Sequence, residues 1–283
     1  MLRPILVALA LLAPPLQART PETPAPEAPG DLVTLELLPG WRTAQGTVMS
    51  GLRLRLAPGW KTYWRAPGEA GIPPQFTWSG SRNLAAAGFL WPVPEVFESS
   101  GLRSIGYHDE VVIPLELTPA DAGRGLHLAG QVDLGVCDEI CVPVSLDFAA
   151  DLEIGSHRDP AIVAALVDQP LGADEAGVTG VACSFAPEGQ GMRVTATLDL
   201  PADTAAGEAE VVVIEAGEPG LWVSPAQSAR AGGRLTASAL ILPVGSAPVS
   251  LDREGLRLTV IGARGAVDIR GCPAPQEQGQ ALR

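Results

Sequence analysis

The chain has 283 residues, 32 of them acidic and 19 basic, for a net charge of −13. So acidic a chain lacks the basic footprint of a nucleic-acid binder, and its charge reports solubility instead. Its three histidines (His108, His127 and His157) and three methionines form no cluster, so no metal site and no cofactor is expected.

Arg3, the apolar run 5–13 and the small residue Ala18 read as a signal peptide over 1–18. The run is shorter than the ~20 residues that span a bilayer, and no later segment approaches that length. The expectation is an exported mature chain without a transmembrane segment, in a compartment where disulfides persist, with a retained N-terminal anchor as the rival reading. Residues 19–30, rich in Pro, Ala and Glu, read as a tether. Of the basic residues only Lys61 is a lysine, which reads as composition bias.

From residue 31 the pattern is β. Leu52, Leu54 and Leu56 alternate with Arg53 and Arg55, as in a half-buried strand. Five of the six tryptophans fall between Trp41 and Trp91, in a stretch dense in Gly and Pro that suits packing strands and rigid loops. Residues 111–117 form another strand, and Pro114 argues for an edge or a bulge. Residues 126–136 alternate, with Leu128, Val132, Leu134 and Val136 on one face and His127, Gln131 and Asp133 on the other. After a break, Val144, Leu146, Phe148, Leu152 and Ile154 alternate with Ser145, Asp147, Asp151 and Glu153.

Cys137 and Cys141 fall in that break. A straight strand would set their α-carbons about 13 Å apart, whereas a disulfide needs roughly 4.4–6.8 Å. A bridge therefore requires a turn, which Asp138, Glu139 and Pro143 suit. Extending both strands by period two puts Cys137 on the His127 face and Cys141 on the Ser145 face, so both sulfurs are expected on the polar, accessible side. Asp138 and Glu139 beside the pair disfavour a thiolate, so the pair suits being attacked as a disulfide better than attacking.

Asp159 and Pro160 open a short helix ending near Asp168. It lies in a linker, 156–175, between a first domain over 31–155 and a second over 176–275, with a tail over 276–283. Strand signals recur at 192–200, 210–215, 234–242, 256–261 and 266–270. The predicted class is all-β: two β-sandwich domains joined by a short helix. The four cysteines allow three connectivities. Spacing favours 137–141 as an exchange pair and Cys183–Cys272 as a structural staple of the second domain. A zinc site is the rival, but Cx₃C followed by two lone cysteines is not a zinc-ribbon spacing.

The block Gly59-Trp60, Tyr63-Trp64-Arg65, Pro67-Gly68, Gly71, Pro73-Pro74, Trp78-Ser79-Gly80-Ser81, Trp91-Pro92, Pro94 and Gly106-Tyr107, with the Cys137…Cys141-x-Pro143 turn, resembles the periplasmic N-terminal region of the DsbD/ScsB thiol:disulfide reductases. The resemblance is nearer the ScsB (suppressor of copper sensitivity) branch and is best over residues 31–154.

That resemblance implies an immunoglobulin-like first domain in the periplasm. Its Cys137–Cys141 pair would take electrons from thioredoxin-like partners of a membrane reductase and pass them to periplasmic oxidoreductases. The family's transmembrane and C-terminal thioredoxin domains have no counterpart before Arg283, so the resemblance implies a separate membrane reductase, or a stand-alone relative with altered partners. DsbD spaces its pair more widely, so the details of its active-site cap do not carry over. Tyr63, Trp64 and Tyr107 are candidates for shielding the sulfurs or meeting a partner, each with packing as the plainer role. The alternative is a non-catalytic binding or assembly module with two structural disulfides. A role in copper handling rests on the branch name alone, and the scarcity of His and Met argues against it.

Overall fold

The computed structural model describes residues 29–99, 101–202, 210–245 and 249–275. The predicted signal peptide, the tether up to residue 28 and the tail from 276 lie outside the described residues. The last two tether residues instead open α1 (Pro29–Leu32), whose Leu32 is buried in the first core.

The first domain contains β1 (Val33–Arg42), β2 (Val48–Leu56), β3 (Lys61–Gly68), β4 (Gln75–Thr77), β5 (Leu84–Phe89), β6 (Glu95–Ser99), β7 (Leu102–His108), β8 (Glu110–Pro119), β9 (His127–Cys137), β10 (Cys141–Asp151) and β11 (Ile154–Gly155). They form two sheets, ordered β11-β1-β2-β8-β5 and β10-β9-β3-β7-β6, with β4 beside β9. The predicted alternation supplies the filling: Leu52, Leu115, Leu128, Val132, Leu134 and Val136 are all buried between the sheets.

Pro114 is neither on an edge nor at a bulge, because β8 pairs with β2 in continuous register on one side and with β5 on the other. The β5 ladder ends at Phe89↔Leu115, and the Pro114 carbonyl accepts from Leu90 N–H at 2.9 Å. The missing N–H faces that same side, where no ladder acceptor remains.

The helix α2 (Pro160–Val167) is capped by the Asp159 carboxylate, which accepts from the N–H groups of Ala161 and Ile162. It packs on the outer face of the first sheet, with Ile162 against Gly51; a β-carbon at Gly51 would come within 3.0 Å of Ile162.

The second domain comprises β12 (Leu171–Gly172), β13 (Gly180–Glu188), β14 (Gly191–Asp199), β15 (Val211–Glu215), β16 (Leu221–Val223), β17 (Gln227–Ala231), β18 (Arg234–Pro243), β19 (Arg257–Gly262) and β20 (Gly265–Arg270). Its sheets are β12-β20-β19-β15 and β13-β14-β18-β16, with β17 beside β18. Residues 171–172, read as linker, thus join the second sandwich through parallel pairing with β20. The described residues are all-β apart from two short helices: two β-sandwiches, the first immunoglobulin-like.

The β15/β19/β20 sheet is apolar on both faces. Val212, Ile214, Leu258 and Val260 fill the second core, while Val211, Ile261 and Ala266 pack with Trp64, Ile105 and Tyr107 of the first domain. The Arg65 guanidinium crosses this seam to Glu215, with Nε–Oε1 at 3.0 Å and Nη2–Oε2 at 2.9 Å. Burial lowers the Arg65 pKa, and the Glu215 carboxylate acts against that shift.

Candidate functional site

The β9–β10 hairpin pairs in unbroken register from His127↔Asp151 to Cys137↔Cys141. Asp138, Glu139 and Ile140 make the turn, with Asp138 N–H donating to the Ile140 carbonyl at 3.1 Å. The two cysteines are therefore direct cross-strand neighbours, their α-carbons 4.2 Å apart, and they are joined as a disulfide.

The two sulfurs differ in access. Cys141 is exposed at the tip, and Ile140 beside it is 69 % exposed. Cys137 is only 1 % exposed, which corrects the expectation that both lie on an open face. Strand parity does put it on the outer side of the sheet, but β3 runs alongside β9 there, with Lys61 opposite Cys137 and Thr62 opposite Val136. Tyr63, two residues on from Lys61, shares its face and covers Cys137.

The Tyr63 hydroxyl donates to Cys137 Sγ at 2.7 Å and lies 3.3 Å from Cys141 Sγ. Burial pushes the phenol pKa up, which keeps the hydroxyl protonated and able to donate. The segment after β3 folds back over this face. Gly71 is pressed so closely that an added β-carbon would lie 2.3 Å from Pro67 Cβ and 2.7 Å from Tyr63 Cδ1. Ile72 sits over Gly135, where a β-carbon would approach it to 2.8 Å. Both glycines are there because the cover has no room for a side chain.

The other two aromatic candidates do not meet the sulfurs. Trp64 is fully buried in the first core, with the Arg65 guanidinium carbon 3.8 Å from its ring centroid. Tyr107 is buried and donates to the Pro92 carbonyl at 2.9 Å. Both are packing residues, since the β3 alternation sends Tyr63 outward and Trp64 inward. Sequence reasoning missed Gly71, Ile72 and Gly135; the density of Gly and Pro over 67–74 was the available signal.

Cys183 of β13 and Cys272, just after β20, form the second disulfide, 89 residues apart in sequence. Both are buried, and their carbonyls accept from Arg253 Nη1 at 2.9 and 3.3 Å. This bond ties the two sheets of the second sandwich. Among the described residues, no group of three or more His, Cys, Asp or Glu is arranged to hold a metal ion, and no helix is long and apolar enough to cross a membrane.

Residues 34–152 match the family described as thiol:disulfide interchange protein DsbD, N-terminal. No curated protein sequence matches the chain. Among solved structures, the N-terminal periplasmic domain of ScsB from Proteus mirabilis superposes with a TM-score of 0.63 at 22 % identity, over 86 % of this chain and 94 % of that one. At that identity the likeness is one of fold, and it extends through both sandwiches. Residues 34–152 are thus similar to DsbD N-terminal domains, and the fold of the chain as a whole is similar to that of the N-terminal periplasmic domain of ScsB.

Proposed function

We propose that the chain is a periplasmic thiol–disulfide exchange protein that relays electrons through a reversible Cys137–Cys141 disulfide. The observation that carries this reading is the asymmetry of the pair: one sulfur open at a hairpin tip, the other buried under a hydroxyl donor. A bond meant only as a staple gains nothing from one exposed sulfur. An incoming thiolate can reach Cys141 and has no path to Cys137.

The exchange follows from that geometry. A partner thiolate attacks Cys141 Sγ, forming a mixed disulfide and breaking the Cys137–Cys141 bond. The bonding pair leaves on Cys137 Sγ, where the Tyr63 hydroxyl donates to it. The partner's second thiol, as thiolate, then attacks its own sulfur in the mixed disulfide and releases Cys141. The partner ends as a disulfide and this chain as a dithiol, two electrons richer. Reversal onto an oxidised acceptor restores the starting state. The donor fitting this chemistry is a thioredoxin-like dithiol kept reduced by a membrane reductase, and the acceptors are periplasmic oxidoreductases. Cys183–Cys272 stays oxidised throughout, with no cofactor needed.

The test is a glutathione titration of the full chain with mass mapping of all four cysteines. Exchange predicts a Cys137–Cys141 potential of roughly −120 to −270 mV with Cys183–Cys272 intact. A value below about −300 mV, or unfolding on reduction, would make the first bond structural and favour a non-catalytic binding module.

A further inference from the structure

Lys61 is the only lysine among the chain's 19 basic residues, and the sheet places it beside the disulfide. It pairs with His108 of β7 on one side and Cys137 of β9 on the other, and Cys137 pairs with Cys141 of β10. His108, Lys61, Cys137 and Cys141 thus form one row across four strands. Directly opposed residues share a face, with β-carbons about 5 Å apart.

The Lys61 ammonium rests 5.2 Å from the Phe97 ring centroid, and among the described residues it has no carboxylate at ion-pair distance. Arg53, Arg55, Arg65 and Arg257 each hold one. An unpaired ammonium on a flexible four-carbon stem is a compact charge free to turn from a weakly held aromatic face toward a new anion.

We propose that Lys61 is the cation that stabilises the sulfur leaving on Cys137 when the Cys137–Cys141 bond opens. The inference rests on the exchange reading above. In that step a partner thiolate bonds to Cys141 Sγ, the old S–S bond breaks, and its electron pair goes to Cys137 Sγ one ladder position from Lys61. The other groups around that sulfur cannot supply the charge. Tyr63 is a neutral donor. Asp138 and Glu139 of the turn are acidic and oppose it. His108 lies beyond Lys61, 2.8 Å from Glu95 of β6 and 3.8 Å from Asp109. In a hairpin tip of acidic character, Lys61 is the cation adjacent to the leaving sulfur.

The test uses the full chain in wild-type, Lys61→Met and Lys61→Arg forms. Each is reduced with dithiothreitol under native conditions, and the ultraviolet absorbance of the Cys137 and Cys141 thiolates is followed against pH. Lys61→Met should move the midpoint of the Cys137 thiolate up by about one pH unit. It should also slow opening of the oxidised bond by dithiothreitol about three- to tenfold, because a more basic thiol leaves more slowly. Lys61→Arg, which keeps the charge, should restore most of both. Lys61→Gln serves as a second neutral variant, and an oxidised Cys183–Cys272 bond with an unchanged thermal midpoint is the control for folding. Superimposable profiles for wild type and both neutral variants, or an Arg variant as shifted as the Met variant, would overturn the role of Lys61. A wild-type Cys137–Cys141 bond that resists reduction until the protein unfolds overturns the exchange reading, and this role with it.

Discussion

The Tyr63 hydroxyl donates to Cys137 Sγ across 2.7 Å, from a residue 74 positions earlier in the chain. The contact exists because β3 lies beside β9 and Tyr63 alternates onto the face that carries Cys137. It makes the two cysteines unequal, one sulfur exposed at the hairpin tip and the other buried under a hydroxyl donor.

Tyr63→Phe removes that donor and keeps the ring as cover. A hydrogen bond to a charged group contributes about 1.5–3 kcal/mol, so reduction of Cys137–Cys141 by dithiothreitol should slow by roughly tenfold or more. The sign of the pH dependence follows from the raised phenol pKa. An acid whose folded pKa lies above its unfolded value keeps its proton-dependent contribution below the unfolded pKa and loses it as pH rises through the folded one. The ratio of wild-type to variant rates should therefore stay constant from about pH 6 to 9. A ratio that changes across that window would show that Tyr63 acts by some route other than its proton.

Gly71→Ala tests the cover itself. Its β-carbon would collide with Pro67 and the Tyr63 ring, forcing the 68–74 segment outward at a cost of about 1–3 kcal/mol. Cys137, now 1 % exposed, should become open to solvent. Reduction by small thiols should accelerate several-fold, although overall stability falls. Unchanged thiol access in a destabilised variant would mean that the segment packs on Tyr63 without guarding the sulfur.

Much of this was legible in the sequence because it depends on local pattern. Period-two alternation located β9 and β10, the impossibility of bridging a straight strand located the turn, and Asp159-Pro160 located α2. What was not legible depends on contacts between distant segments. Cys137 reads as exposed until Tyr63 is placed over it. Pro114 reads as an edge or bulge residue until β5 is seen to stop at Phe89. Trp64 and Tyr107 look as eligible as Tyr63 until the sheet decides which rings face inward. The second face of the β15/β19/β20 sheet reads as ordinary core, and nothing local in Arg65 or Glu215 announces a bond across 150 positions.

Glu215→Gln isolates that bond. Arg65 and Glu215 have side chains only 14 % and 24 % exposed, and breaking a buried pair by removing one partner costs about 3–5 kcal/mol. Because this pair is partly solvated, about 2–3 kcal/mol is the expected loss. It should appear in urea unfolding as a lower midpoint, with the first domain's disulfide reactivity retained. An unchanged midpoint would assign the seam to Val211, Ile261 and Ala266 alone.

Replacing Cys183 and Cys272 with Ser separates the two disulfides by function. The bond closes a loop with a sequence separation of 89, for which the chain-entropy model gives a stabilisation on the order of 4 kcal/mol. Both sulfurs are buried within the second sandwich and touch nothing near the hairpin tip. The double variant should unfold at markedly lower urea, while Cys137–Cys141 keeps its reduction potential and its rate of opening. The opposite pattern, a stable variant with altered exchange, would place the second pair in the electron path. Steric access disfavours that pattern. A thiolate must approach along the S–S axis, and the burial that lets Cys183–Cys272 brace two sheets leaves no open line to either sulfur.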